Sequence, residues 1–465
     1  MMAMSVTEPL LDHDVAVIGG GAAGVMTVIQ LLRRAPAGLR VALLEPHAGL
    51  GEGIAYATRR PEHLLNVPAG KMSALADMPG DFVDYLRASA TFDLPADLLA
   101  RRYVPRMHFA AYLRDRLARA QAASPARLTV LAAHVDALAP AAGGGFALQL
   151  RDRQSLAAGQ VVLAVGNALR PLPLRGASSL PESARLEAWD TEAVARVPAG
   201  ATLCIVGSGL SMVDSAITLA RHDHAAPVHV VSRHGLMPLP HAEVAPFEFD
   251  PTPLLALRLR PRMRALRGIA ATADAQGVPW QAVMERLRPL GQALWQSLDA
   301  ADQRRFLRHV VRYWDVHRHR IDAGIHAALQ AMRQAGQLRL HRARLDAAWP
   351  LGACLRVEAR GHDGAPLRLD VQRLLNATGV EMRVQAMGNR LLQQLLGDGL
   401  AVPGPHGIGI DSDADGRVID AAGRAWPALH VIGSLRIGRL WESLAIPELR
   451  AQAADVAGAV LARRA

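Results

Sequence analysis

Apolar residues fall in two patterns along this chain. Short runs of aliphatic and β-branched residues recur at VAVI from Val15, VALL from Val41, QVVLAV from Gln160, LCIV from Leu203, VHVV from Val228 and ALHVI from Ala428. Each is bounded by glycine, proline or polar residues, the signature of strands buried on both faces in a parallel sheet. Between them, residues 25–32, 81–86, 107–120 and 210–220, and a segment beginning near Ile446-Pro447, carry apolar positions at helical spacing. LTVLAAHV and FALQL read as two further strands parted by a turn at residues 143–145, and LRLHRARL, CLRVEARG and LRLDVQRLLNATG as strands late in the chain. Residues 250–335 break the alternation. Opened by Pro251, Pro253 and Pro261, they show only the helical period, which predicts a helical insertion in an otherwise α/β protein.

Two of the strand-to-helix junctions carry glycines. The first, VAVIGGGAAG at residues 15–24, sets Gly19, Gly21 and Gly24 in a GxGxxG. The first glycine serves a tight turn, the second lets a pyrophosphate approach the backbone, and the third packs helix on strand. The next strand ends at Glu45-Pro46, about 20 residues on, where a carboxylate reaches ribose hydroxyls. The second junction, GSGLSM, has Gly207 and Gly209, with Met212 at the third glycine position. Its following strand ends in Ser232-Arg233. An arginine there cannot accept from ribose hydroxyls but can pair with a 2′-phosphate, so NADPH is expected ahead of NADH.

The remaining chemistry-bearing residues lie on loops. The irregular segment of residues 49–86 offers Asn66, Lys71 and Ser73 as groups near a cofactor ring or substrate, each with a turn-forming or solvated role as the competing reading. Arg106, His108 and the stripe Arg305, Arg308, Arg312 are candidate anion contacts with the same alternative. LAVGN, ending a strand at Gly166, leads into LRPLPLRG, a domain boundary; NATG ends another strand at Gly379. With 465 residues, 51% hydrophobic and 20% charged, the chain suits a globular protein of two or three domains. The net charge of +10 with only 4% aromatic residues reads as attraction for anionic small molecules, with no nucleic-acid partner expected. Cys204 and Cys354 form no CxxC, which excludes a dithiol relay, and His317 and His319 have the wrong spacing for a metal pair, so no metal is expected. No export signal or membrane span is visible, and a cytoplasmic protein is expected.

Together these motifs resemble the two-dinucleotide-binding-domain flavoproteins, and more closely a bacterial FAD/NAD(P)-binding protein family whose members include flavin-dependent N-monooxygenases of the nitrosuccinate synthase type. The carriers are GGGAAG at residues 19–24, GIAYAT at 53–58, HLLNVPAGKMSA at 63–74, YVPR at 103–106, GSGLSMVD at 207–214, FLRHVVRYWDVHRHR at 306–320, NATG at 376–379 and LWESLAIPELRAQA at 440–453. The resemblance implies two Rossmann-like domains, with the NAD(P) domain (residues 173–375, including the insertion 250–335) inserted into an FAD domain of residues 1–172 and 376–465. It implies FAD contacts from Gly19, Gly21, Gly24, Glu45, Asn66 and Gly433 and NADPH contacts from Gly207, Gly209 and Arg233. Ala22, Ala23, Pro46, Val135, Gly166, Leu210, Ser232, Gly379 and Trp441 complete the expected cofactor-binding set. Asn66, Lys71 and Glu442 are the expected groups near the reactive ring. The implied activity is NAD(P)H-dependent oxygenation of a small substrate by O₂ through a flavin hydroperoxide, with N-oxygenation of an amine or amino acid foremost. A dehydrogenase passing electrons to a quinone or protein, and a non-enzymatic flavin-binding scaffold or sensor, stay open. So does a homo-oligomer.

Overall fold

The computed structural model describes residues 12–463. The described chain divides into two compact units. Unit 1 takes residues 12–59, 67–168 and 381–463; unit 2 takes residues 60–66 and 169–380.

In unit 1 the apolar runs become the parallel middle of a sheet. Its order is Arg417–Ile419, Ala425–Val431, Ser155–Leu163, His13–Ile18, Arg40–Leu44, Arg127–Leu131. All neighbours are parallel except the first pair. The helix Ala22–Arg33 crosses from the strand His13–Ile18 to Arg40–Leu44 and buries nine residues in an unbroken row from Gly24 to Leu32. A helix apolar all round is one covered on every side; the helices Met107–Ala123 and Ile446–Ala462 pack beside it.

The segment LTVLAAHV is not one strand. Arg127–Leu131 pairs in parallel at the sheet edge, the chain turns with Ala133 N–H donating to Leu131 O at 2.9 Å, and Val135–Pro140 then pairs antiparallel with Phe146–Leu150. An apolar run marks extended chain and carries no sign of a change of partner strand.

In unit 2 the sheet order is Pro366–Val371, Cys354–Gly361, Leu338–Leu351, Val228–Ser232, Leu203–Val206, Arg373–Asn376, Arg185–Glu187. The long strand Leu338–Leu351 serves two partners. Its first residues run parallel to Val228–Ser232, and after Arg342 it runs antiparallel to Cys354–Gly361 in a meander. Cys204, wholly buried in the central strand, has its thiol pushed up to about 12 by desolvation and is inert core.

The helical insertion has its own core, built from Leu254, Leu266, Ala273, Val283, Leu287 and Leu294. The end of the expected insertion of residues 250–335 differs in allegiance: the helix Ala323–Gln334 contributes Leu329 and Met332 to the core of the nucleotide sheet. Within the insertion, Phe306–Val310 is a π-helical turn between Ala300–Arg305 and Val311–Arg318. The wider turn breaks the register on which a single arginine stripe depended. Arg305 and Arg312 are moreover paired with Asp302 at 2.7 Å and Asp315 at 3.0 Å. The continuous anion-binding stripe is therefore not formed.

Candidate functional site

In unit 1 the site builds from the first glycine turn. Gly19 stands at φ +108°, and a Cβ there would lie 2.3 Å from Ala164 O; one on Gly24 would lie 1.9 Å from Gly19 O. The fold itself demands both glycines. Gly21 is different. Its φ of −68° and ψ of −174° suit any residue, and its nearest neighbour to an added Cβ is Gly53 Cα at 3.5 Å, ordinary contact. It begins the helix Ala22–Arg33, whose N-terminus carries no side-chain cap, so the amides of Ala22 and Ala23 open a first turn suited to an anion.

Glu45, at the end of the neighbouring strand and followed by half-buried Pro46, leans over this turn. Its Oε2 accepts from Gly20 N–H at 2.7 Å and its Oε1 from His47 N–H at 3.0 Å. The other side is closed by the C-terminal segment. Gly433, at φ +79°, sits so that an added Cβ would be 3.4 Å from Ala23 Cβ; its N–H donates to Gln452 Oε1 at 3.2 Å, and Ser434 Oγ donates to Gly166 O at 2.7 Å. Gly19, Ala23, Glu45, Gly166 and Gly433 thus gather at one end of the parallel strands, where α/β sheets bind ligands. Val135 is buried at the start of its strand.

Lys71 is exposed at the end of the short helix Ala69–Lys71. The loop bearing it is anchored by buried polar groups. Tyr112 Oη donates to Asp81 Oδ2 at 2.6 Å and accepts from Ala74 N–H at 3.0 Å, and Arg116 pairs with Asp81 at 2.7 Å. Ser73 is wholly buried, donating to Leu75 O and Met78 O, so it serves the loop's shape and is not a ring or substrate contact. Arg450 Nη1 donates to Ser73 O at 3.1 Å, which ties the loop to the helix Ile446–Ala462, the helix that follows Trp441 and Glu442. Trp441 stands at φ +57°, ψ −86°, a region in which an aromatic residue stores strain, of a kind that collects at functional positions.

Unit 2 repeats the first turn. Gly207 stands at φ +106°, with Ala377 O 2.4 Å from an added Cβ. Gly209 starts the helix Leu210–Arg221 at φ −86° with no side-chain cap, and nothing lies within 4 Å of an added Cβ. Met212, in place of a third glycine, is buried in the sheet's core. Ser208 Oγ donates to Ser232 Oγ at 2.9 Å, joining the glycine turn to the next strand's end. Arg233 beyond it is exposed and has no carboxylate partner among the described residues. Gly379, at φ +85°, accepts from Arg170 N–H at 3.2 Å.

Asn66 lies with unit 2, together with the rest of residues 60–66. Its backbone carbonyl accepts from His241 Nε2 at 3.2 Å, and burial lowers His241 to about 4, so the ring is neutral near pH 7. His241 and Gln452 had no motif to announce them. The only sequence signal for Gln452 is a polar residue on an otherwise apolar helix face.

Residues 16–168 match the family model described as FAD-NAD(P)-binding. A comparison with curated proteins finds no match. Among solved structures the chain is similar to the Kutzneria sp. 744 ornithine N-hydroxylase (TM-score 0.67, 16% identity, 97% of this chain and 100% of that one). It is similar also to L-lysine 6-monooxygenase of Pseudomonas syringae (0.66, 18%, 97% and 99%) and to ornithine hydroxylase of Pseudomonas aeruginosa (0.65, 17%, 97% and 100%). The chain has the fold of two-dinucleotide-binding flavoproteins. Among the described residues no helix is long and apolar enough to cross a membrane.

Proposed function

We propose that this chain, with its FAD-NAD(P)-binding domain at residues 16–168, is an FAD-containing, NADPH-dependent monooxygenase that N-oxygenates a small amine or amino acid. The observation that carries this reading is the pair of second glycines. Gly21 and Gly209 have ordinary backbone angles and room for a methyl group, so nothing within the protein calls for glycine at either place. A pyrophosphate lying against the backbone does. One glycine turn is followed by a carboxylate, Glu45, and the other by Arg233, a cation with no carboxylate partner among the described residues, which fits a resident dinucleotide bound by its ribose hydroxyls and a phosphorylated one.

Bound FAD would supply hydride acceptance and oxygen activation; the protein supplies binding, orientation and exclusion of water. The amides of Ala22 and Ala23 would hold the FAD pyrophosphate, and Glu45 would accept from its ribose hydroxyls. Gly166 and Gly433 leave room beside the helix start. In unit 2 the first turn of Leu210–Arg221 would hold the second pyrophosphate, and Ser232 and Arg233 would take the adenosine ribose and its phosphate. Lys71, Trp441 and Glu442, all of unit 1, are assigned to the reactive end, where a neutral amine must be oriented.

The amine class rests on the similar solved structures, an ornithine N-hydroxylase and an L-lysine 6-monooxygenase. The test is oxygen consumption with a panel of amino acids and diamines under isotopically labelled dioxygen. A labelled N-hydroxylated product carries the proposal. NADPH oxidation that yields peroxide alone with every amine sinks it and turns the reading to a dehydrogenase.

A further inference from the structure

The end of the strand Val228–Ser232 carries more positive charge than Arg233 alone. Ser232 and Arg342 are register partners on adjacent parallel strands, so Arg342 stands one strand further along the same sheet edge. Between them the chain turns through Arg233 and His234 to Gly235 at φ +61°, where an added Cβ would come 3.0 Å from Arg342 Cβ. This turn rests on the stem of Arg342. It is fastened on its other side, because Gly235 N–H donates to Ser232 Oγ at 3.0 Å and Ser232 is held by Ser208 of the glycine turn. His362 N–H donates to Arg342 O at 3.0 Å and fixes the arginine's backbone from the meander side.

Among the described residues no carboxylate answers this charge. Arg233 and Arg342 are exposed and make no ion pair among the described residues. Burial first, and then the charges of Arg233, Arg312, Arg342 and His362, all basic, lower His234 from the ordinary histidine value. Arg312, beside the Tyr313 ring that lies 6.0 Å from the His234 ring, spends part of its charge on Asp315. Like charges held together without a counter-ion cost stability, and they repay it when an anion arrives. A guanidinium on the turn just past Ser232 and another on Ser232's register partner, strands about 4.8 Å apart at the backbone, suit the oxygens of one dianion.

We infer that Arg342 is a second ligand for the reductant's 2′-phosphomonoester, closing with Arg233 a two-arginine clamp at the edge of the unit 2 sheet. The inference rests on the reading of the second glycine turn as an NADPH site and adds a specificity residue to it. Arg342 belongs to the strand that leaves the nucleotide fold for the meander, beyond the reach of the βαβ motif itself.

The test titrates the FAD-loaded protein calorimetrically with adenosine 2′,5′-bisphosphate and with adenosine 5′-monophosphate, in the wild type and in Arg342→Ala, Arg233→Ala and Arg344→Ala. Arg344 is an exposed arginine of the same strand and controls for loss of charge alone. Arg342→Ala is expected to weaken the bisphosphate about tenfold and the monophosphate less than about twofold, with Arg344→Ala near wild type. Equal weakening of both nucleotides by Arg342→Ala, or of neither, overturns the clamp. If Arg233→Ala removes the preference for the bisphosphate while Arg342→Ala keeps it, this inference falls and the NADPH reading stands. A wild type that binds both nucleotides alike removes both.

Discussion

A methyl group distinguishes the roles of the glycines. At Gly24 it meets Gly19 O at 1.9 Å, so Gly24→Ala forces helix and strand apart and is expected to lose FAD and cost about 2 kcal/mol or more of stability. At Gly209 it meets nothing within 4 Å. Gly209→Ala should therefore melt within about 0.5 kcal/mol of wild type while its NADPH affinity falls about tenfold or more through loss of the close approach to pyrophosphate. Thermal unfolding and nucleotide titration of both variants check the contrast. Arg233→Ala should raise KM for NADPH about tenfold and that for NADH less than about twofold, as loss of one charge-assisted pair requires; equal effects would remove Arg233 from its role. The two glycine turns and the strand ends at Glu45 and Ser232-Arg233 were legible in sequence because a dinucleotide turn has fixed spacing. Arg342 and His362 were not, since their nearness to Arg233 depends on which strand pairs with which.

At the scale of elements, the loop that presents Lys71 is held by a buried set in which one hydroxyl serves two partners. Tyr112→Phe leaves Ala74 N–H without its acceptor and removes one donor to Asp81, at a cost of about 1–3 kcal/mol. Arg116→Ala leaves Asp81 buried without its cation and should cost about 3 kcal/mol or more. Denaturant unfolding of the two variants ranks them in that order. The strand-helix-strand units were readable because their apolar runs are short, pure and punctuated by glycine. The division of LTVLAAHV between two pairings was not, nor was the π-helical turn at Phe306–Val310. Apolar periodicity reports which side is covered, and both features change the partner or the pitch while leaving the covered side apolar.

For the whole molecule, acid is the weak direction. His430, buried in the strand Ala425–Val431, is lowered to about 4, chiefly by desolvation, from the 6.5 of an exposed histidine. The fold holds the neutral ring, and the unfolded chain takes up the proton first. The contribution is therefore complete above pH 6.5, shrinks as the pH falls below it, and stops changing below about pH 4. Between about pH 7.5 and 5 this amounts to roughly 2 kcal/mol. His430→Gln should flatten the stability profile of the protein by that amount over that interval; an unchanged slope would show that His430 is not the group responsible.

The net charge of +10 and the two uncapped helix starts bear on the central claim, that one chain holds two different dinucleotides. The direct measurement is anaerobic rapid mixing of the FAD-loaded protein with NADPH, and separately with NADH, while following the flavin absorbance. Rapid, saturable bleaching by NADPH at concentrations where NADH acts about tenfold less effectively is the result predicted. Protein that takes up no FAD, or bound flavin that neither nicotinamide nucleotide reduces, would contradict it.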